Sequence, residues 1–402
     1  MYSFLKSKLT AHDQHWLIYA QTIGSLLSLI QLIVLTRVLE PEVFGQYRYG
    51  IAISMIVPLF FLSGIPNTIT SMIAKGQENI FFAAIKRYIY STRIPTVFFL
   101  ITSLSLLYLN FTFLGLVLLL ITICSPLYQT VQFYGSYLNG KQDYKRIFLY
   151  GLIPDIIAIT SVILASIFFS TQPLVILGVF LLSNSLGTLI PFLLTVRTYK
   201  IKFESKITSE DLISLSKTVS QSNLIQGVGG QIDKLISFHL VSSSGLAVYS
   251  IVTMAVQQFR GFQKILYAIL LPKQSLNRDH THFYKALWLY IGVSALFCVA
   301  YIITAPVIFT ILFPQYLAFV NLSQFASIAI IFTPLTFFTL STLHGRHDKK
   351  STLQYTAITT TLSTILLLIG SFFGGTPGIV FAFILSNCIS GLLGLTFLKI
   401  KP

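Results

Sequence analysis

The sequence contains little charge. Only 10% of its 402 residues are Asp, Glu, Lys or Arg, against about one quarter in an ordinary soluble domain. Hydrophobic residues make up 54% of the chain, and the mean hydropathy is +0.79. The longest polar interval, 197–211, is too short to fold as a separate domain. This composition excludes a soluble globular protein and predicts a polytopic membrane protein.

The sequence also contains few residues in patterns typical of disulfides, metal sites or nucleotide-binding loops. The three cysteines all lie in apolar segments, so no disulfide framework is indicated. Two histidine groups, His280 and His282 with Asp279 and His344 and His347 with Asp348, lie in short basic loops, where no further acidic or cysteine ligands complete a metal site. The Gly135–Lys141 segment has P-loop spacing, but Gln142 stands where Ser or Thr should hold magnesium and no strand precedes it. We therefore expect no cofactor and no enzyme.

Apolar runs of about 20 residues, the length that crosses a bilayer, divide the chain into about twelve predicted membrane spans. Their approximate limits are 16–38, 46–70, 90–109, 113–135, 147–170, 173–196, 213–240, 246–271, 284–312, 319–343, 352–373 and 377–399. The first run is too long for a signal-peptide core and lacks a cleavage site, so we expect it to be retained.

Basic residues predict the orientation of these spans. Most of the 27 Lys and Arg residues lie at the termini and in alternate connections. By the positive-inside rule, both termini and these connections are predicted to be cytoplasmic, with only short loops on the outer side. The same basic loops account for much of the net charge of +15 through topology and contact with membrane lipids. Nucleic-acid binding is not needed to explain it.

The chain repeats itself at half its length. The polar series Gln21, Gly24, Ser28 and Gln31 has the spacing of Asn223, Gln226, Gly230 and Asp233. The segment Gly140–Arg146 similarly resembles Gly345–Lys350. The repeat predicts two six-helix lobes, 1–196 and 213–402, joined by a cytoplasmic linker, 197–212. Both halves would enter from the cytoplasm, so a pseudo-twofold axis along the membrane normal would relate them, with substrate between the lobes.

Ionisable residues lie deep in spans 7 and 8, where contact with lipid is unfavourable. Asp233 and Lys234 are in the first span, and Arg260 and Lys264 in the second. Residues 223, 226, 230 and 233 would form one polar stripe on a helix face. Gln257, Arg260 and Lys264 would form a similar cationic stripe on the second span. The two stripes predict the wall of a hydrated cavity, although Asp233 and Lys234 could instead form a local pair. Arg37 and Arg48 could pair with Glu40 and Glu42 at the outer surface, or Arg37 could point inward.

Several segments resemble the Wzx-type polysaccharide or O-antigen flippases of the multidrug/oligosaccharidyl-lipid/polysaccharide (MOP) exporter superfamily. They are Leu35–Tyr47, Gly64–Pro66, Tyr137–Arg146, Asp233–Ile236 and Gly245–Tyr249. The resemblance implies an all-α, V-shaped pair of lobes in the bacterial cytoplasmic (inner) membrane. It also implies that the substrate is an oligosaccharide on undecaprenyl diphosphate, used for O-antigen, lipopolysaccharide or capsule assembly alongside other polysaccharide-assembly membrane proteins.

Carrying an anionic diphosphate and sugars through hydrocarbon requires cations and hydrogen-bonding groups. The candidates for the diphosphate are Arg260, Lys264, Lys234 and Arg37. The candidates for sugar hydroxyls are Asn223, Gln226, Gln257, Gln21 and Gln31. Since no ATP site is present, we expect coupling to a proton or sodium gradient through Asp233.

Two alternatives remain open. An ion-coupled multidrug or metabolite antiporter of the same superfamily would need fewer cations and more acidic groups in its cavity. A membrane polysaccharide polymerase would normally carry a large outer loop with catalytic residues, whereas the predicted outer loops are very short.

Overall fold

A computed structural model of the chain describes residues 11–201, 209–263, 280–345 and 349–399, and all regular structure within these ranges is helical. The helices of the first part are α1 (Ala11–Val38), α2 (Pro41–Ile56), α3 (Ile65–Ala74), α4 (Ile80–Tyr108), α5 (Thr112–Val131), α6 (Phe133–Lys141), α7 (Tyr144–Phe168), α8 (Pro173–Tyr199) and α9 (Ser209–Gly229). The remaining helices are α10 (Ile232–Ile236), α11 (Ser243–Val252), α12 (254–263), α13 (His280–Leu312), α14 (Val320–Ser327), α15 (Ala329–Gly345) and α16 (Lys349–Lys399).

Every predicted span is occupied by helix within the described residues, although several spans are broken. Seven of the described helices are long and apolar enough to cross a membrane, and up to nine are if each bent pair counts as one. The second span consists of α2 and α3, which meet at a bend of 62°. The last two predicted spans are the arms of α16, which is broken at Gly375, where φ is 53°. Broken helices of this kind are tolerated in membranes where the protein itself satisfies the freed backbone groups.

The chain forms two compact units that do not simply follow chain order. Unit 1 comprises Met1–Val34 and Gly50–Gln231, and unit 2 comprises Leu35–Tyr49 and Ile232–Pro402. The end of α1 and the beginning of α2 therefore belong to unit 2. Residues 213–231, predicted as the start of the second lobe, belong to unit 1.

In unit 1, α9 packs closely against the break between α2 and α3. A Cβ atom added to Gly64 would lie 2.2 Å from the carbonyl oxygen of Ser216, so only glycine fits at this approach. The backbone N–H of Gly64 donates to Ser220 Oγ at 2.8 Å. The freed backbone groups of the broken second span are thus satisfied by side chains of α9.

In unit 2, backbone contacts at glycine bring helices together. A Cβ atom added to Gly45 of α2 would lie 1.8 Å from the carbonyl oxygen of Ser243, at the start of α11. In α16, Gly370 and Gly378 approach each other so closely that an added Cβ on Gly378 would lie 2.1 Å from the carbonyl oxygen of Gly370. Small residues that permit close backbone approach are typical of helix packing in membranes.

Candidate functional site

The polar stripe predicted for span 7 is interrupted. Helix α9 ends at Gly229, and α10 begins at Ile232 after a turn. Gly227 and Gly229 lie just before the break and Gly230 lies within it, and glycine is a weak helix former. Asn223 and Gln226 consequently belong to unit 1, whereas Asp233 and Lys234 belong to unit 2. The prediction of one continuous stripe is therefore wrong.

Asn223 has a structural hydrogen bond in unit 1. Its side-chain amide donates to the carbonyl oxygen of Ser63 at 3.1 Å, beside the contact between Gly64 and Ser220. Asn223 therefore helps to hold the break between α2 and α3. Gln226 also has an interaction partner.

The predicted polar residues of α1 also lie in unit 1. Gln21 donates to Ser25 Oγ, one turn along the same helix, at 3.2 Å, and Gln31 has a partner as well. Between them, a Cβ atom added to Gly24 would lie 4.0 Å from a carboxylate oxygen of Asp155. This part of α1 therefore faces the acidic residue of α7.

Asp233 is held by two hydrogen bonds in unit 2. Its Oδ2 accepts from the hydroxyl of Tyr249 at 2.9 Å, and its Oδ1 accepts from the backbone N–H of Lys234 at 2.9 Å. Tyr249 is fully buried on α11. The local pairing of Asp233 and Lys234 considered from the sequence thus includes a backbone contact, and Tyr249 joins it from another helix.

Three cations interact electrostatically with the same carboxylate among the described residues of unit 2. Lys234, Arg48 and Arg260 each interact electrostatically with Asp233. Lys234 is also repelled by both arginines. We call these four residues the cationic cluster. Positive charge exceeds negative charge within it, and the buried Nε of Arg48 has no hydrogen-bond partner in the described part of the chain.

Arg48 was not among the residues predicted to bind substrate. Pairing it with Glu40 and Glu42 at the outer surface is wrong, because the carboxylate that acts on it is Asp233. The signal in the sequence was weak, since Arg48 lies close to two acids in the chain and 185 positions from Asp233. Arg48 enters the cluster because the Leu35–Tyr49 segment belongs to unit 2.

The side chain of Arg260 is oriented by α16. Its guanidinium group donates to Oδ1 of Asn387, and its Cζ lies 5.6 Å from the centre of the Phe383 ring. Neither Asn387 nor Phe383 was predicted, although an Asn within an apolar span is itself a signal. Gln257, one turn before Arg260, donates to Thr253 Oγ1 at 3.1 Å on its own helix.

Arg37 has different contacts. Its guanidinium group donates to the carbonyl oxygens of Ile311 and Leu312, at the C-terminal end of α13. Gln315 donates back to the carbonyl oxygen of Arg37 at 3.3 Å. Arginine satisfies the last carbonyl groups of a helix in this way. Arg37 therefore caps α13, and Lys264, the other predicted cation, lies outside the described residues.

No cluster of three or more His, Cys, Asp or Glu side chains suited to a metal ion occurs in the part of the chain that the structure describes. The cationic cluster provides net positive charge, from two guanidinium groups and an ammonium group beside one carboxylate. Such an arrangement favours an anionic ligand, and guanidinium groups bind phosphate oxygens through two parallel hydrogen bonds.

Comparisons with known proteins agree on family and fold. The family model described as "Polysaccharide biosynthesis protein" matches residues 11–272. A search of curated proteins found no match. Among solved structures, an outward-facing multidrug-resistance MATE transporter of the MOP superfamily gives a TM-score of 0.65 at 12% identity, covering 96% of this chain and 94% of that chain.

Two other structures give similar values. A MATE protein in a straight conformation has a TM-score of 0.66 at 13% identity, with 96% and 93% of the two chains covered. A MOP-superfamily transporter from Pyrococcus furiosus has a TM-score of 0.61 at 11% identity, with 96% and 94% covered. Transporters of this kind have twelve transmembrane helices in two lobes, which confirms the predicted fold class. The chain therefore belongs to the polysaccharide biosynthesis protein family and has the fold of a MOP-superfamily transporter.

Proposed function

We propose that this protein flips an oligosaccharide linked to undecaprenyl diphosphate across the bacterial cytoplasmic membrane by alternating access. The product would be used to assemble O-antigen, lipopolysaccharide, capsule or another surface polysaccharide. The observation that carries the proposal is the cationic cluster, in which Arg48, Lys234 and Arg260 share one carboxylate.

The excess positive charge of the cluster supports an anionic substrate. Leaving a cation unpaired in a membrane protein is costly, so residues of this kind face a hydrated path or a ligand. A diphosphate group supplies both the negative charge and the acceptor oxygens that the free Nε of Arg48 lacks. Lys264 and Arg37 remain candidates for the same head group, Arg37 only if it leaves the carbonyl groups that it caps.

The sugar part needs neutral hydrogen-bonding groups. Gln257 lies one turn from Arg260 and is suited to hydroxyl groups next to the diphosphate. The candidates in unit 1, Gln21, Gln31, Asn223 and Gln226, would each exchange an existing intramolecular contact for a sugar contact. The polyprenyl chain has no need of a polar site, because it is soluble in the lipid.

Asp233 is proposed as the site at which an ion gradient is coupled to transport. Both carboxylate oxygens accept hydrogen bonds, and three cations compete for its charge. Binding a proton or sodium at Asp233 would free the cations for the diphosphate, and loss of the ion would return the carboxylate to them. Transport of substrate and ion would thus depend on the same residues.

The alternative multidrug antiporter fits the unit 2 cluster less well. A cationic drug would be repelled by a site in which three cations outnumber one acid. A MOP transporter with 11% identity to this chain was described as having a binding pocket of reverse polarity that suggests a different function. We take pocket polarity as the property that separates the two candidates, and the cluster favours the anionic substrate.

The experiment depletes the protein in its native cells and measures carrier-linked sugars by mass spectrometry. We expect lipid-linked repeat units to accumulate on the cytoplasmic side. Wild-type protein should reverse the accumulation, whereas the Arg48→Gln/Arg260→Gln variant should not. Lys350→Gln, which removes an exposed cation elsewhere in unit 2, is the matched control. Normal export by the double variant would reject the proposal.

A further inference from the structure

One face of α4 in unit 1 is exposed from Tyr90 to the end of the helix at Tyr108. Its residues recur at intervals of three and four, which places them on one side of the helix. They are Tyr90, Ile94, Val97, Ile101, Leu104 and Tyr108, each more than half exposed. We call them the α4 stripe. In a membrane protein such a surface is in contact with lipid.

Two arginines lie at the end of the α4 stripe nearest the N-terminus of the helix. The Cζ atoms of Arg87 and Arg93 lie 5.4 Å and 5.1 Å from the centre of the Tyr90 ring. Among the residues that the structure describes, the buried Nε of Arg87 has no hydrogen-bond partner and neither arginine forms an ion pair. Two like charges therefore lie near one ring with no counter-ion from this part of the chain.

The dimensions of this face match one leaflet. Half of a hydrocarbon core of about 30 Å is about 15 Å. At about 1.5 Å per residue, that distance corresponds to about ten residues of helix. Ile94 and Leu104 are separated by that length. The apolar part of the α4 stripe can therefore contact one acyl chain from its head group to the bilayer centre.

We propose that this face of α4 is a specific binding site for an anionic phospholipid. The phosphate group accepts hydrogen bonds from Arg87 and Arg93 above the Tyr90 ring, and an acyl chain packs along the α4 stripe. A zwitterionic lipid binds less well, because its ammonium group brings a third positive charge to the two guanidinium groups. The site belongs to unit 1 and does not share residues with the cationic cluster, so it is independent of the transport proposal.

The test uses the full-length protein purified in detergent and titrated with phosphatidylglycerol, observed by native mass spectrometry. Each cation near an anionic head group contributes roughly fivefold in affinity, so the Arg87→Gln/Arg93→Gln variant should lose roughly 25-fold at this site. The matched control is Lys200→Gln, which removes an exposed cation of unit 1 at the end of α8, away from the α4 stripe, and it should keep wild-type affinity.

Four results would overturn the proposal. The first three are unchanged affinity in the double variant, an equal loss in Lys200→Gln, and equal affinity of the wild type for phosphatidylcholine. Competition by millimolar inorganic phosphate would also overturn it, because it would identify a phosphate site that makes no use of the α4 stripe. Arg87→Lys/Arg93→Lys keeps the charge and should retain most of the affinity, which separates loss of the site from misfolding.

Discussion

The hydroxyl group of Tyr249 donates a 2.9 Å hydrogen bond to the carboxylate of Asp233. Tyr249 is fully buried and Asp233 is partly buried, so the bond is partly sheltered from solvent. This hydrogen bond orients Asp233, the acid of the cationic cluster, from a different helix. The backbone N–H of Lys234 donates to the other carboxylate oxygen. A proton or a metal ion that binds Asp233 therefore changes a contact between α10 and α11.

Tyr249→Phe should destabilise the protein and alter coupling together. Removal of the hydroxyl leaves one oxygen of Asp233 without its buried donor, at a cost of about 1–3 kcal/mol. Thermal unfolding in detergent should show a lower Tm. Tyr301→Phe, which also removes a buried hydroxyl hydrogen bond from unit 2, should lower the Tm but keep the wild-type dependence on the ion gradient.

Asp233→Asn separates the coupling role from simple neutralisation of Lys234. If Asp233 couples ions to transport, both Asp233→Asn and Asp233→Asn/Lys234→Gln should transport without responding to a proton or sodium gradient. A structural pair predicts that the double variant regains normal transport. Initial rates in proteoliposomes with imposed gradients distinguish these results, and gradient-dependent transport by the double variant would end the coupling proposal.

Neutralising the cations should abolish transport without preventing membrane insertion. Arg48→Gln and Arg260→Gln each remove one of the three charges that we assign to the diphosphate. At Lys264, Arg should be tolerated better than Glu, because Arg preserves the positive charge. Export should be measured together with the amount of inserted protein, so that poor expression is not mistaken for loss of transport.

The ion pair between Glu78 and Lys141 should make the stability of the protein depend on pH. The hydrogen bond from Lys141 lowers the pKa of Glu78 below its usual 4.5, against the smaller opposing effect of burial. Because the folded pKa is the lower one, the pair stabilises the protein above pH 4.5 and loses this contribution as pH falls through the folded pKa. The carboxylate is 40% exposed, so the effect should be small.

Glu78→Gln should therefore have a slightly lower Tm than wild type at neutral pH, and the difference should vanish in acid. Lys141→Gln provides the second arm of a double-mutant cycle. A Tm difference between Glu78→Gln and wild type that is the same at neutral and acidic pH would contradict the assignment.

Gly45→Ala should strongly destabilise unit 2. The new methyl group would lie 1.8 Å from the carbonyl oxygen of Ser243, which forces α2 and α11 apart. Overpacking of this kind costs about 1–3 kcal/mol or more. Gly292→Ala is the control, because no atom of the described residues lies within 4 Å of its added Cβ. Equal Tm values for the two variants would contradict the close contact.

A reporter fused within the 197–212 linker tests the orientation. The positive-inside rule predicts that it lies in the cytoplasm together with both termini. A signal from the outer side would reverse the proposed direction of transport.

Hydrophobicity made the helices predictable, whereas the contents of the site depended on distant contacts. The apolar runs of α7 and α8 appear in the structure close to their predicted limits, because few other structures can satisfy the backbone in lipid. Helix α4 ends near its predicted limit but begins ten residues earlier, at Ile80. The break after Gly229 was missed because glycines weaken a helix only slightly, and packing decides whether it ends there. Arg48 and Asn387 could not be assigned, because their partners are more than 120 positions away in the chain.

The division of the chain between the two units also restricts where its coding sequence could be split into two separate genes. A polypeptide beginning at residue 213 would lack Arg48 and also Gly45, the glycine of α2 that packs against the start of α11. The Leu35–Tyr49 segment supplies both residues. Its first helix would also contain Ser220 and Asn223, whose hydrogen-bond partners, Gly64 and Ser63, would remain on the other polypeptide. Two halves encoded by separate genes would therefore have to fold in each other's presence, whatever ancestral duplication produced their similarity.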